Sequence, residues 1–221
     1  MKHLREIAGF GKVARANALH VRLSNHFNYD NVDPHDRKAS WDYQGGSGEL
    51  NHYLWEKHKG TKPSEIKPTW SDRPIPSAHI DQHEKDISQL DHLMTTNKTP
   101  HKMVVYSGTP NDPRDHMNES GIVHHPAYLS TSLDQNIGEK FSREKVNRND
   151  YSQHLLKIHV PKDHPAAFIP NLHPTAFSSA EKEVLLPRGI NLQHMKTTST
   201  TSKTVSGGSV SVNVHHMRVV P

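Results

Sequence analysis

Hydrophobic positions along the chain change texture at Pro100. Before it, apolar residues recur three and four apart; after it, they gather in short β-branched runs between turn residues. Leu50, Tyr53 and Leu54 mark a helix face, with a turn at the glycines of "YQGGSG" just before it. Ile87, Leu90 and Met94 line a further helix, for which Asp81 and Glu84 have the spacing of a capping box. An earlier helix is predicted over 4–23, broken at Gly9 and Gly11. "NVDPHD" reads as a loop, and Pro63, Pro68, Pro74 and Pro76 keep residues 60–79 extended.

The second half reads as strands. "KMVVYSG" ends at Gly108, and "AYLSTS" is a second short run. Ser132 then has the place of an N-cap with Gln135 three residues on, and Leu133, Ile137 and Phe141 mark the helix face. "HLLKIHV" is closed by Pro161. "EVLLP" and "INLQHM" predict one strand with a bulge or turn at Pro187-Arg188-Gly189. "TTSTTSKTVSGGS" reads as a polar linker, and Val210, Val212 and Val214 alternate as in a final strand. Helices first, then strands with one helix among them, predict an α+β fold of two packed, mostly antiparallel sheets with N-terminal helices.

Composition narrows the function classes. The 221 residues are 32% hydrophobic and lack cysteine, which excludes disulfides, thiolate zinc sites and a cysteine nucleophile. No apolar run is long enough to span a membrane. The N-terminus makes a poor signal peptide, because Lys12, Arg15 and Arg22 interrupt any apolar stretch. The net charge is +4, and residues 1–29 carry Lys2, Arg5, Lys12, Arg15 and Arg22 against Glu6 alone. Residues 1–35 therefore read as a basic extension, solvated or in weak contact with nucleic acid or an acidic protein. Residues 36–221 form the main domain. The 20 histidines are scattered, with no H-E-x-x-H pattern, and no metal site is expected. No P-loop and no G-x-G-x-x-G is present.

The chemistry-bearing candidates are short. Glu181 and Glu183 flank one residue at the entrance to an apolar run. On an extended segment they share a face. Like charges that close raise one pKa, leaving one proton acceptor and one ionised group. A carboxylate about 4 Å from a developing cation gains roughly 4 kcal/mol at an effective dielectric near 20. The same pair alone also fits a salt-bridged strand edge. Ser130 and Ser132 share a face of "LSTS", where their hydroxyls can orient a carboxylate or form a strand end and cap. Gly108 lets backbone approach a ligand closely, or simply makes a turn.

Taken in order, "VVYSG", "STS" and "EKE" resemble the R-S-E class of mono-ADP-ribosyltransferases. Tyr43, Leu50, Asn51 and Leu54 match that family's helix pattern, "HPAYLSTSLDQNIGEKF" its STS strand and helix, and "EKEVLLPRGINLQ" its E-x-E strand. Phage Alt/Mod-type and bacterial exoenzyme-like transferases look closest. The resemblance implies that Glu183 is the catalytic glutamate, holding the nicotinamide-ribose of NAD and stabilising the oxocarbenium-like state. It implies that Glu181 positions and deprotonates the acceptor, and that Ser130 orients Glu183. Thr131 and Ser132 would support the NAD pocket with Tyr106, Ser107 and Gly108, and Phe177 would contact the protein substrate. E-x-E implies an arginine acceptor. The family's first motif carries an arginine where this chain has Ser107, with Arg114 the nearest replacement. NAD would be the co-substrate, with no metal, and a target protein the partner. The expected location is cytoplasmic, in a host cell if the chain is phage-encoded. A catalytically silent domain of the same fold, in a virion or on nucleic acid, is the other reading.

Overall fold

The computed structural model describes residues 2–144, 153–174, 180–203 and 209–221. Three helices come first: α1 (Lys2–His26), α2 (Pro34–His58) and α3 (Ser77–Thr96). Strands follow: β1 (Met103–Thr109), β2 (Ile122–His125) and β3 (Leu129–Ser132). Helix α4 (Gln135–Glu144) then precedes β4 (Gln153–Val160), β5 (Ala167–Phe168) and a single turn, α5 (Ile169–Leu172). The chain closes with β6 (Glu183–Leu186), β7 (Ile190–Lys203) and β8 (Ser209–Val220).

The α+β order is as predicted, but the strands do not divide into two sheets. All eight are hydrogen-bonded in one continuous sheet, in the order β2-β7-β8-β4-β1-β3-β6-β5. Neighbours are antiparallel except β4 and β8, which run parallel.

Several local expectations shift for identifiable reasons. Gly9 and Gly11 lie within a continuous α1. The glycines after Tyr43 kink α2 at Gly46 instead of ending it. Asp33, in the expected loop, starts α2 by accepting the His35 amide at 2.7 Å, with Pro34 at the first helical position. Helix α3 begins at Ser77, so Asp81 and Glu84 lie inside it and form no cap. Asp134 caps α4 by accepting the Asn136 amide at 3.0 Å, while Ser132 Oγ donates to the Glu181 carbonyl at 2.6 Å. Residues 187–189 separate two strands. Gly189 has a φ of 73°, which glycine adopts freely, and Arg188 grips Asp91 of α3 at 2.7 Å. Residues 197–203 of the expected linker extend β7 opposite β8.

The core lies between the helices and the sheet. Ile87, Leu90, Leu93 and Met94 of α3 and Leu50, Tyr53 and Leu54 of α2 pack there with Leu129, Val184, Leu185 and Leu186. Each fully buried aliphatic side chain is worth about 2 kcal/mol. Part of the basic N-terminal segment is built in: Leu23, Phe27 and Tyr29 belong to this core. On the other side of the sheet, α4 sits almost on the backbone of β1. A Cβ added at Gly108 would lie 2.1 Å from the Ser142 nitrogen, and one at Gly138 2.9 Å from Tyr106 Cβ. Gly108 is thus required by helix packing, a demand its sequence context did not reveal.

Candidate active site

A cleft of about 1030 Å³ opens between α2 and the sheet. Its floor is built by β1, β3 and β6, which bring together residues far apart in sequence. Tyr106 pairs with Ser132 across β1 and β3, and Ser132 pairs with Glu183 across β3 and β6. Ser107, Gly108, Ser130, Thr131, Glu181 and Glu183 all line the cleft.

Glu183 is buried where β6 begins. Gln44 Nε2 of α2 donates to it at 3.3 Å. A chain of hydroxyls reaches it from the same helix. Asn51 Nδ2 donates to Tyr43 OH at 3.0 Å, and Tyr43 OH lies 3.3 Å from Ser130 Oγ. Ser130 in turn hydrogen-bonds Glu183. Since Asn51 and Glu183 fix the two ends, Tyr43 donates to Ser130 and Ser130 donates to Glu183. Burial raises the Tyr43 pKa and keeps it a proton donor.

Glu183 carries a perturbed charge. Burial lifts its pKa to about 6; the bonds from Ser130 and Gln44 oppose the rise, and the nearby Glu181 adds to it. A carboxylate so placed ionises near neutral pH, is weakly hydrated, and faces a cleft. It can accept a hydroxyl hydrogen bond and stabilise an adjacent cation.

The two glutamates share the cleft, but not through strand alternation. Residue 181 ends a helical turn, and Lys182 has a left-handed φ of 48° before β6 begins. That conformation costs a non-glycine residue on the order of 1–2 kcal/mol. It is held at both ends: the Lys182 carbonyl accepts the Leu133 amide at 3.2 Å, and its Nζ lies 3.3 Å from Asp134. The turn sets Glu181 off from Glu183.

The remaining sequence candidates sort clearly. Ser107 Oγ donates to the Ser130 carbonyl at 2.9 Å, so it braces β3 at Ser130. Thr131 Oγ1 donates to the Val184 carbonyl at 2.5 Å, locking β3 to β6. Tyr106 alternates to the opposite face of β1 and packs beside Leu155, Val212 and Val214. Ser132 lies behind the glutamate turn and does not line the cleft. Arg114 is turned to Asp112, whose carboxylate it grips from Nε and Nη2, and it too stays outside the lining. Phe177 lies outside the described residues.

Sequence reasoning missed three contributors. Gln44 directly contacts Glu183, and Trp55 of α2 and Lys59, which caps the helix's C-terminus, also line the cleft, one and two turns beyond Asn51. Lys59 is the one lysine or arginine among the described lining residues. The spacing 51, 55, 59 was a visible signal, since residues four apart share a helix face.

The stem of the segment leading to the glutamates is clamped. Arg37 donates to the carbonyls of Leu172 and Tyr29, the latter at 2.7 Å. Asn171 Nδ2 donates to the Ser24 and Phe27 carbonyls at 2.8 and 2.6 Å. Exposed Trp41 stands edge-on to His173, with ring centres 5.0 Å apart.

Comparison with known proteins gives a consistent picture. The sequence model of a family described as ADP-ribosyltransferase exoenzyme matches residues 22–214. Plx2a, an ADP-ribosyltransferase toxin from Paenibacillus larvae, has a similar structure, with a TM-score of 0.65 at 17% identity over 94% of this chain and 96% of that one. Vis toxin, an ADP-ribosyltransferase from Vibrio splendidus that has also been solved with agmatine, gives 0.62 at 17% identity over 96% and 85%. BECa, an ADP-ribosylating toxin from C. perfringens solved with NADH, gives 0.64 at 16% identity over 92% of this chain; the match spans about half of BECa, 48%. At these identities the likeness is one of fold. No curated protein sequence matches the chain.

Proposed function

The chain belongs to the ADP-ribosyltransferase exoenzyme family, and from that premise we propose that it transfers ADP-ribose from NAD to a protein arginine as an R-S-E-class enzyme. One observation carries the reading: a buried glutamate, Glu183, oriented by Ser130 and Gln44 at the floor of a long cleft, with Glu181 beside it.

The reaction breaks the glycosidic bond between nicotinamide and ribose. Nicotinamide leaves with the bonding electrons, and positive charge builds on the sugar. Glu183 accepts a hydrogen bond from a ribose hydroxyl and stabilises that charge, as carboxylates do at other glycosidic bonds. Asn51, Tyr43 and Ser130 act through Glu183: they fix its rotamer before substrate arrives, so little reorganisation is needed in the transition state. The cleft is large enough for a dinucleotide. Lys59, on the cleft lining and paired at the surface with Glu56 at 2.7 Å, is the cation that turns to the diphosphate, in place of the arginine that the family's first motif supplies and Ser107 does not.

Glu181 is the acceptor's residue. A guanidinium is planar, cationic and matched to a carboxylate in two parallel hydrogen bonds. Glu181 can hold one arginine nitrogen against the sugar and take its proton as the new carbon–nitrogen bond forms. The agmatine found with Vis is a guanidinium compound of that kind. The clamp at Arg37 and Asn171 gives the segment that precedes the glutamates a fixed base from which to meet a protein.

The test is incubation of a cell lysate with NAD labelled in its adenosine moiety, followed by mapping of the modified residues. The proposal expects label on arginine side chains. Label confined to asparagine or cysteine would refute the acceptor assignment, and no NAD turnover at all would refute the enzyme, favouring a silent binding domain.

A further inference from the structure

Away from the two glutamates, the described residues contain one cluster with metal-ligand geometry. Asp112, His154 and His215 each present a ligand atom, and all three atoms lie within 4.8 Å of one another. The sheet brings the histidines together. Thr109 pairs with His154 across β1 and β4, and Leu156 pairs with His215 across β4 and β8. Both histidines are therefore directed to the same face of the sheet as Leu156, which lines the cleft. Asp112 comes over them from the loop that follows β1.

We propose that Asp112, His154 and His215 bind a divalent transition-metal ion of the zinc type. His154 Nδ1 and His215 Nε2 lie 2.9 Å apart, and Asp112 Oδ1 lies 3.9 Å from His215 Nε2. Ligands about 2.0–2.1 Å from a tetrahedral zinc are separated from each other by about 3.3 Å, between these two values. A small parting of the rings and a small approach of the carboxylate admit the ion. Two imidazoles and one carboxylate suit zinc, cobalt or nickel and disfavour magnesium and calcium, which take oxygen ligands. The fourth position is left to solvent, since Asp112 is partly exposed.

The surroundings have the orienting partners such a site needs. The Nδ1 of His215 lies 3.1 Å from Thr197 Oγ1, whose hydroxyl also meets His194 Nε2 at 2.9 Å. Arg114 fixes the Asp112 carboxylate, Nη2 donating to Oδ2 at 2.6 Å and the backbone amide and Nε to Oδ1 at 2.9 and 3.0 Å, with Oδ1 the oxygen nearer His215. The ion would have a distinct consequence. Thr109, Pro110, Asn111, Asp112, Pro113 and His116 form one wall of the cleft. Metal binding would pin that wall to β4 and β8, coupling cation occupancy to the shape of the cleft. The site itself does not depend on what the cleft binds.

Cobalt(II) titration of the whole chain tests this, because cobalt in a four-coordinate nitrogen–oxygen site shows visible d–d absorption. The expected result is one equivalent bound with these bands, and a raised melting temperature. His215→Gln should abolish the bands. Asp112→Asn, an isosteric change at a partly exposed position, should weaken binding by more than about tenfold, the loss that orienting-residue changes alone cause. If His215→Gln does not fold, Asp112→Asn decides. No bands in the wild-type chain, or bands of unchanged affinity in Asp112→Asn, would overturn the site and assign any bound cobalt to the other histidines.

Discussion

Replacing Glu183 with glutamine separates the two consequences of burying a carboxylate at the cleft floor. Burial raises the Glu183 pKa from an ordinary 4.5 to about 6. At 1.36 kcal/mol per pH unit this corresponds to about 2 kcal/mol. The folded chain holds the proton more tightly than the unfolded chain. The contribution of this group to stability is therefore greatest below about pH 4.5 and is lost as pH rises through about 6. Glutamine keeps the acceptor oxygen for Ser130 but carries no charge. The stability of Glu183→Gln relative to wild type should then improve by about 2 kcal/mol between pH 4.5 and pH 7, equivalent to roughly 4–8 °C in melting temperature for a chain of this size. Over the same change, nicotinamide release should fall by about a thousandfold, because roughly 4 kcal/mol of attraction to the sugar cation is removed. Differential scanning calorimetry at the two pH values and chromatographic assay of nicotinamide are the measurements. A melting-temperature difference independent of pH would refute the burial reasoning. Equal nicotinamide release would refute the role of Glu183.

Other outcomes follow from particular contacts. Gly108→Ala places a Cβ 2.1 Å from the Ser142 backbone, so α4 must shift; thermal unfolding should show a loss of about 3 kcal/mol or more, and a loss under 1 kcal/mol would contradict the packing described. Arg37→Ala removes the donor to the Leu172 carbonyl, at the stem of the segment before the glutamates, and to the Tyr29 carbonyl between α1 and α2. It should raise the KM for a protein acceptor while NAD hydrolysis changes less than about threefold, a split absent if Arg37 merely supports the whole fold. Lys59→Ala should raise the KM for NAD by about tenfold with little change in kcat, since it removes one charge-assisted contact to the diphosphate; an unchanged KM would place the diphosphate elsewhere.

Much of this architecture was legible in the chain because patterning and local chemistry agree. Ile87, Leu90 and Met94 read as a buried helix face, and "VVYSG", "LSTS" and "EVLL" read as strands; each is found there. The order of those strands brought Ser130 and Glu183 together on paper before the sheet did. What was not legible depends on long-range partners. Gly108 gave no hint that α4 lies against it, since the clash involves Ser142 and Gly138. Ser132 looked like a helix cap, yet its hydroxyl reaches the Glu181 carbonyl and Asp134 takes the cap. The shared place of Glu181 and Glu183 on the cleft was expected for the wrong local reason: Lys182 adopts a left-handed turn that no propensity predicts for lysine. The continuous sheet depends on β4 and β8, whose parallel pairing links runs more than fifty residues apart. Gln44 was hidden because a glutamine on a helix near glycines has no chemistry until its partner is known.

The central claim is that Glu183 drives cleavage of NAD while Glu181 directs the sugar to a guanidinium. The most direct measurement is incubation of the purified chain with NAD and agmatine, with mass spectrometry of the products. Wild type should yield ADP-ribosyl-agmatine and nicotinamide in equal amounts early in the reaction. Glu181→Gln should still release nicotinamide, with free ADP-ribose in place of the agmatine adduct. An adduct formed as well by Glu181→Gln as by wild type, or no adduct from wild type while nicotinamide is released, would contradict the account.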